Sequence, residues 1–265
     1  MKRGEVMKAI SIENLNVNYG KNRVLKDINL EIEDKHFLGI IGPNGGGKST
    51  LIKVLAGLVN YKKGEVEIYG NYPQDISGDL GYVPQASEFD KKFPINVKDV
   101  VLSGSLNNGM KIFQKYSKKT FDYADEIMKK LDIFELRKRQ IGQLSGGQLQ
   151  KVLIARALMT NPKIILLDEP TASIDSSSTT QIYELLRELN ENMTIIVVTH
   201  NLEAVSSYFD SIACLNKTLY HHNDKNLDSE TVKNVYGCPI DLIAHGAPHR
   251  VLGKHGGESN DRGNN

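Results

Sequence analysis

The nine residues Gly42 to Thr50, GPNGGGKST, match G-x-x-x-x-G-K-[ST] in full, a spacing that sets a lysine and a hydroxyl at the far end of a glycine-rich turn. Glycines 42, 45, 46 and 47 predict backbone at positive φ with its N–H groups turned inward, a nest for phosphate oxygens at the positive end of a helix. Lys48 would then reach the β and γ phosphates and Ser49 would put its hydroxyl on Mg²⁺, with Pro43, Asn44 and Thr50 completing the loop. A glycine-rich turn that merely opens a helix is the competing reading. The context disfavours it: Phe37 to Ile41 suits a buried parallel strand, and Leu51, Leu55 and Leu58, widened by Ile52 and Val59, recur at helical spacing afterwards. A nucleoside triphosphate site is the expectation.

A second set of chemistry-bearing residues lies downstream. The unbroken apolar run Ile164 to Leu167 delivers Asp168, Glu169 and Pro170 at its carboxyl end, where α/β proteins place ligands. Asp168 suits the Mg²⁺ shell and Glu169 is placed to polarise an attacking water, as phosphoryl transfer requires; a solvated acidic strand end is the bland alternative. Another strand-like run, Thr194 to Thr199, ends in His200, which at such a position suits a γ-phosphate contact. Leu144, Ser145, Gly146, Gly147 and Gln148 form a second glycine turn at a helix start, 24 residues ahead of Asp168. That turn offers a hydroxyl and N–H groups to an anion but no lysine to hold a triphosphate unaided, so it reads as half a site. Tyr19, before Gly20, sits where a ring could stack on a base; an ordinary surface tyrosine is the alternative.

The elements that position these residues follow from periodicity. Ile10 and Ile12, then Ile28, Leu30 and Ile32, then Val66 and Ile68 alternate as strands of an antiparallel sheet with one wet face. Leu80 to Val83 is a short strand ending at Pro84 and Gln85, after which the composition turns to Lys, Asp, Asn and Ser. Within that block Phe121, Ala124, Ile127, Met128 and Leu131 share one helical face. Residues 86–145 therefore read as a helical insert. A turn at Ser173 to Asp175 precedes a helix with Ile182, Leu185, Leu186 and Leu189 on one face, and Ile212 to Leu215 is strand-like, after which periodicity is lost.

The chain's 265 residues suffice for a sizeable core, and 33 Lys and Arg against 32 Asp and Glu make no basic field for nucleic acid. No apolar run approaches the ~18 residues of a membrane span, and MKRGEVMKAI lacks the apolar core of a signal peptide. A cytosolic chain is expected. Cys214 and Cys238 give no disulfide framework and read as a core thiol and a tail thiol.

Tyr19, GPNGGGKST, Gln85, LSGGQ, ILLDEP, SID and His200, in that order, resemble the ATP-binding subunit of an ABC transporter over roughly residues 8 to 225. The resemblance implies ATP and Mg²⁺ as ligands and an α/β fold: a P-loop NTPase core with a mainly parallel sheet, an N-terminal antiparallel β subdomain and a helical insert. It also implies that Gln85 contacts metal or water and senses a membrane partner, that Asp175 acts across a dimer, and that Tyr19 stacks on adenine. Around the ATPase domain of 8–225, residues 1–7 read as an extension, 226–252 as a C-terminal segment and 253–265 as disordered by composition. Ile174 and Gly46 depart from the commoner Leu and Ser or Ala.

A head-to-tail pair about a twofold axis would set each LSGGQ turn on the partner's phosphate loop, so that ATP joins two subunits and hydrolysis parts them. Three loads compete for such a motor. A transporter needs separate permease subunits; a translation-type factor usually carries two such domains; a DNA-repair or chromosome ATPase would hold a long coiled coil where only 95 residues separate Lys48 from Leu144. The stretches Glu88 to Val100 and Gly237 to His249 resemble ATPases of zinc/manganese-type uptake systems. The implied assembly is a peripheral subunit on the cytoplasmic face of the membrane, powering uptake of zinc or manganese ahead of iron, with an extracytoplasmic binding protein and no nucleic acid. Cys238, His245 and His249 could form a regulatory metal site, but their spacing matches no standard tetrahedral pattern and an ordinary tail is the alternative.

Overall fold

Alternating apolar and polar residues form two long strands, β1 (Lys8–Tyr19) and β2 (Asn22–Glu33), with Ile10, Ile12, Leu15 and Val17 buried opposite Ile32, Leu30, Ile28 and Leu25. The computed structural model describes residues 7–76, 78–85, 93–106, 116–172, 174–201 and 207–222. β3 (Phe37–Ile41), buried at every position, leads through the glycine loop into α1 (Lys48–Leu55). β4 (Lys63–Ile68) then pairs antiparallel with β1, giving a sheet in the order β2-β1-β4. β5 (Leu80–Val83) precedes α2 (Val97–Ser103) and α3 (Lys118–Lys130), where Ala124, Ile127 and Met128 are buried and Phe121 lies under the Lys98 ammonium at 4.7 Å. Next come α4 (Gly146–Leu158), β6 (Ile164–Asp168), α5 (Ser176–Asn190), β7 (Thr194–Val198), β8 (Ser211–Asn216) and β9 (Thr218–His222).

The second sheet runs β5-β6-β7-β3-β8-β9, parallel except for β9. Strands buried this completely need cover on both faces, and they have it. Phe37, Ile165, Leu167, Ile195, Val197, Ile212 and Cys214 join α4 and α5 in one apolar cluster, whereas Leu38, Ile40, Leu166, Ile196, Val198, Ala213 and Leu215 join α1 and the antiparallel sheet in the other. The core thiol expected at Cys214 is thus buried in the parallel sheet.

The structure corrects two local expectations. Leu58 does not extend the α1 stripe: Gly57 adopts φ 70° after Leu55, the left-handed conformation that stops helices, and Leu58 is 62% exposed. Periodicity does not end at Leu215 either, because Lys217 at φ 61° turns the chain straight back into β9, a five-residue edge strand with no Gly or Pro signal. Residues 1–6, Glu88 to Lys92, Ser173, Cys238, His245, His249 and 253–265 lie outside the described residues.

At the amino ends of the parallel strands His36 Nε2 is 2.7 Å from Ser211 Oγ, which is 2.9 Å from His221 Nε2. One hydroxyl serves two neutral rings, donating to one and accepting from the other. Burial is the first cause lowering both imidazole pKa values; His36 and His222 add repulsion at His221, Arg187 adds repulsion at His36, and Asp210 and Glu33 partly offset it there. Because the folded pKa lies below the unfolded value of about 6.5, the unfolded chain binds these protons first and stability is lost as pH falls below that value. We expect Tm to drop on moving from pH 7.5 to 5 and His221→Gln to flatten that drop; thermal melts across the range check it, and an equal drop in the variant would refute the assignment.

Candidate nucleotide and catalytic site

Parallel pairing sets the carboxyl ends of β5, β6, β7 and β3 side by side, and each delivers one expected site element: Gln85 after β5, Asp168 and Glu169 from β6, His200 after β7 and the glycine loop after β3. Lys48, 6% exposed, points its ammonium back into the loop, donating to the carbonyls of Gly42 and Pro43 at 2.9 Å each. One donor of the three is left for a phosphate oxygen. Burial lowers the Lys48 pKa, and the carboxylates of Glu169 and Asp168 oppose that shift. Ser49 Oγ donates to Asp168 Oδ1 at 3.2 Å, so the two expected Mg²⁺ ligands meet. A hydroxyl and a carboxylate are hard oxygen donors that suit Mg²⁺ when phosphate oxygens complete the shell.

Both oxygens of Glu169 are engaged. Gln85 Nε2 donates to Oε2 at 3.1 Å and His200 Nε2 lies 2.7 Å from Oε1. Glu169 holds φ 49°, a left-handed conformation that a bulky side chain adopts only under constraint, and its N–H donates to Val198 O at 3.0 Å. That kink turns the carboxylate off the strand line towards its two partners. A cavity of about 600 Å³ opens beside Glu169 and His200.

The glycine loop differs from expectation at one residue. Gly42, Gly45 and Gly47 have φ of 152°, 75° and 102°, but Gly46 does not take positive φ, and its N–H donates to Pro43 O at 3.1 Å rather than facing inward. Space at Gly46 is tight instead: a Cβ there would lie 2.8 Å from Leu215 O and 3.0 Å from Pro43 O. Sequence reasoning missed this wall, which the β8–β9 turn supplies; Lys217 N–H donates to Gly46 O at 2.9 Å. It also missed Thr199, whose hydroxyl accepts from Asn201 N–H at 3.0 Å and bonds Tyr183 OH at 2.9 Å, bracketing His200. A threonine closing an apolar strand just before the histidine was the available signal.

Pro43, Asn44 and Thr50 sit in or just after the loop as expected. Tyr19 is 52% exposed at the end of β1, and Val24 and Leu25 of the following strand lie against Gly47. The second glycine turn sits apart. Ser145 caps α4 by accepting from Gln148 N–H at 3.2 Å, while Gln148 Oε1 accepts from Ser145 N–H at 3.1 Å. Leu144 anchors the turn in the core, and Gly146 opens the helix. A Cβ on Gly147 would come within 2.8 Å of Ser178 Cβ, so this glycine lets α4 meet α5. Lys151 lines the same cleft of about 230 Å³ as Ser145, Gly147 and Gln148, a cation the motif alone did not disclose. Among the described residues no hydrogen bond joins this turn to the glycine loop of its own chain. Asp175 caps α5, accepting from Ser178 N–H at 2.9 Å, and that bond holds its carboxyl below the usual carboxylate range.

The chain is similar to known proteins in sequence and in fold. A family model described as ABC transporter matches residues 25–172. The chain is 40% identical over 239 residues to the manganese transport system ATP-binding protein MntB of Listeria innocua, covering 89% of this chain and 99% of the relative. It is 39% identical over 219 residues to the zinc uptake system ATP-binding protein ZurA of the same species, covering 80% and 84%. Among solved structures, a chain of a metal-chelate type ABC transporter in an inward-facing conformation superposes with TM-score 0.78 and 32% identity, covering 88% of this chain and 90% of that one.

The wall behind the loop can be tested by itself. At Gly42 an added Cβ would lie 2.0 Å from Leu215 O, backbone against backbone, whereas at Gly45 it meets nothing within 4 Å and faces only the strain of φ 75°. Gly45→Ala should therefore fold with a loss of about 1 kcal/mol, while Gly42→Ala should lose nucleotide binding and melt many degrees lower. Equal melting points and equal titrations with a fluorescent ATP analogue would show that the wall is not there.

Proposed function

The chain belongs to the ABC transporter family as an ATP-binding, ATP-hydrolysing member, and from that premise we propose that it is the motor of an importer for a divalent transition metal ion, zinc or manganese ahead of iron. The observation that carries the chemistry is the meeting of Lys48, the Ser49–Asp168 pair and the Gln85–Glu169–His200 set at one sheet edge. In this reading Tyr19 stacks on adenine and the glycine loop cradles the phosphates. Ser49, Asp168 and the Gln85 amide oxygen would hold Mg²⁺, which when bound neutralises charge on the β and γ phosphates. Glu169 accepts a proton from the attacking water as the new P–O bond forms and the bond to the bridging oxygen breaks, leaving ADP and inorganic phosphate.

The two partners of Glu169 give that step a gate. A carboxylate tied at both oxygens is poorly placed to take a proton; were the Gln85 amide to leave Oε2, that oxygen would be free to act while His200 keeps Oε1 oriented. The Leu144–Gln148 turn, which among the described residues makes no hydrogen bond to the glycine loop of its own chain, would meet the partner's ATP in a twofold dimer, with Asp175 at the crossing. Among the described residues no helix is long and apolar enough to cross a membrane, which accords with separate permease subunits that receive the stroke. The metal cargo is inferred from the relatives, and an extracytoplasmic binding protein would deliver it.

Glu169→Gln should bind ATP normally, slow hydrolysis by about 10²–10⁴-fold and run as an ATP-dependent dimer in size-exclusion chromatography. Near-parental turnover would mean that another group activates water. The cargo is tested separately. Cells lacking the chain should show depressed zinc or manganese content in metal-poor medium, and unchanged zinc, manganese and iron would sink the metal assignment while leaving the ATPase standing.

A further inference from the structure

Among the described residues Gln150, in α4, has both side-chain polar atoms buried without a partner: it is fully shielded from solvent, and neither Nε2 nor Oε1 makes a hydrogen bond. An amide presents two donors and an oxygen with two lone pairs. Shutting these away unpaired costs free energy that an apolar side chain of similar size would not incur. Other buried polar groups are less exposed to this cost: Asp125 keeps the Lys98 ammonium at 3.7 Å, and His222 lacks a partner at one ring nitrogen. Gln150 therefore needs a reason.

Its place in α4 supplies one. Gln150 is three residues beyond Gly147, so the helix period sets both on one side. At Gly147 that side meets Ser178 in the first turn of α5 and, at 3.8 Å from the absent Cβ, Ile174 in the loop that follows Glu169. Helical side chains lean towards the amino end, which here is the Leu144–Gln148 turn. The helix period thus sets Gln150 behind the turn assigned to the partner's ATP, on the side of α4 that at Gly147 meets Ser178 and Ile174.

We propose that Gln150 is a positioning residue for the ATP-bound dimer: its amide, orphaned in the arrangement described here, gains partners when α4 settles against Ile174, Asp175 and the first turn of α5 on closure. The residue raises the open arrangement relative to the closed one and so biases the equilibrium that ATP must shift. This rests on the dimer reading above.

The test uses the full chain carrying Glu169→Gln, with Gln150→Leu and Gln150→Met added in turn. In both double variants ATP-dependent dimerisation, followed by analytical ultracentrifugation, should weaken by about tenfold, the worth of one net hydrogen bond. Monomer ATP affinity should stay the same, and Tm without nucleotide should hold or rise by about 2–4 °C. In the otherwise parental chain the same changes should lower kcat at unchanged KM. Unchanged dimerisation in either folded variant would make Gln150 a mere buried defect and overturn the proposal. A lowered Tm in both variants would overturn it as well, by showing the amide satisfied in the open arrangement. Should Glu169→Gln alone fail to dimerise with ATP, the dimer reading falls first, and this inference falls with it.

Discussion

The site exists because β3 and β7 pair in parallel. That ladder runs from Phe37 opposite Ile195 to Ile40 opposite Val198 and continues where Thr199 N–H donates to Ile40 O. It fixes the height of the glycine loop relative to His200, and the neighbouring β6–β7 ladder fixes Asp168 relative to both. A slip of one residue would carry each side chain to the opposite face, and the two apolar clusters forbid it because each already claims alternate residues of the same strands. Hydrophobic burial thus sets the register, and register sets catalytic distances.

Charge at the strand ends is arranged with similar economy. The Lys48 ammonium is buried, a costly state for a lone cation, yet two loop carbonyls solvate it and Asp168 and Glu169 stand nearby as counter-charges. Glu169 is held by neighbours from two other strands, so three sheet positions control one carboxylate. The antiparallel sheet contributes differently: it carries Tyr19 at an exposed tip and lays β2 against Gly47.

Much of this was legible in the sequence because the residues are strongly typed. Unbroken apolar runs ending in Asp168 and His200 could hardly be other than parallel strands, and the alternation at Ile28, Leu30 and Ile32 marked a half-buried strand. What stayed hidden depends on contacts distant in the chain. Gly46 looked like a fourth positive-φ residue, yet its constraint is Leu215 O, 169 positions away and invisible to local spacing. Leu58 kept the helical period while Gly57 ended the helix before it. β9 is half-exposed, five residues long and turned by a lysine, so neither its composition nor its connection announced a strand. Asp175 read as a group acting at a distance, and the structure gives it a local duty as well, capping α5.

The β8–β9 turn that backs the glycine loop has a thermodynamic consequence. Lys217 O accepts from Lys26 N–H at 2.7 Å and its N–H donates to Gly46 O at 2.9 Å, so one turn stitches the hairpin, the loop and the sheet edge together. A loop held this way has given up its conformational entropy on folding, and little remains to be lost when a phosphate arrives. Nucleotide binding should then resemble docking into a rigid mould, with a heat-capacity change set by the base and ribose surface covered rather than by ordering of the chain.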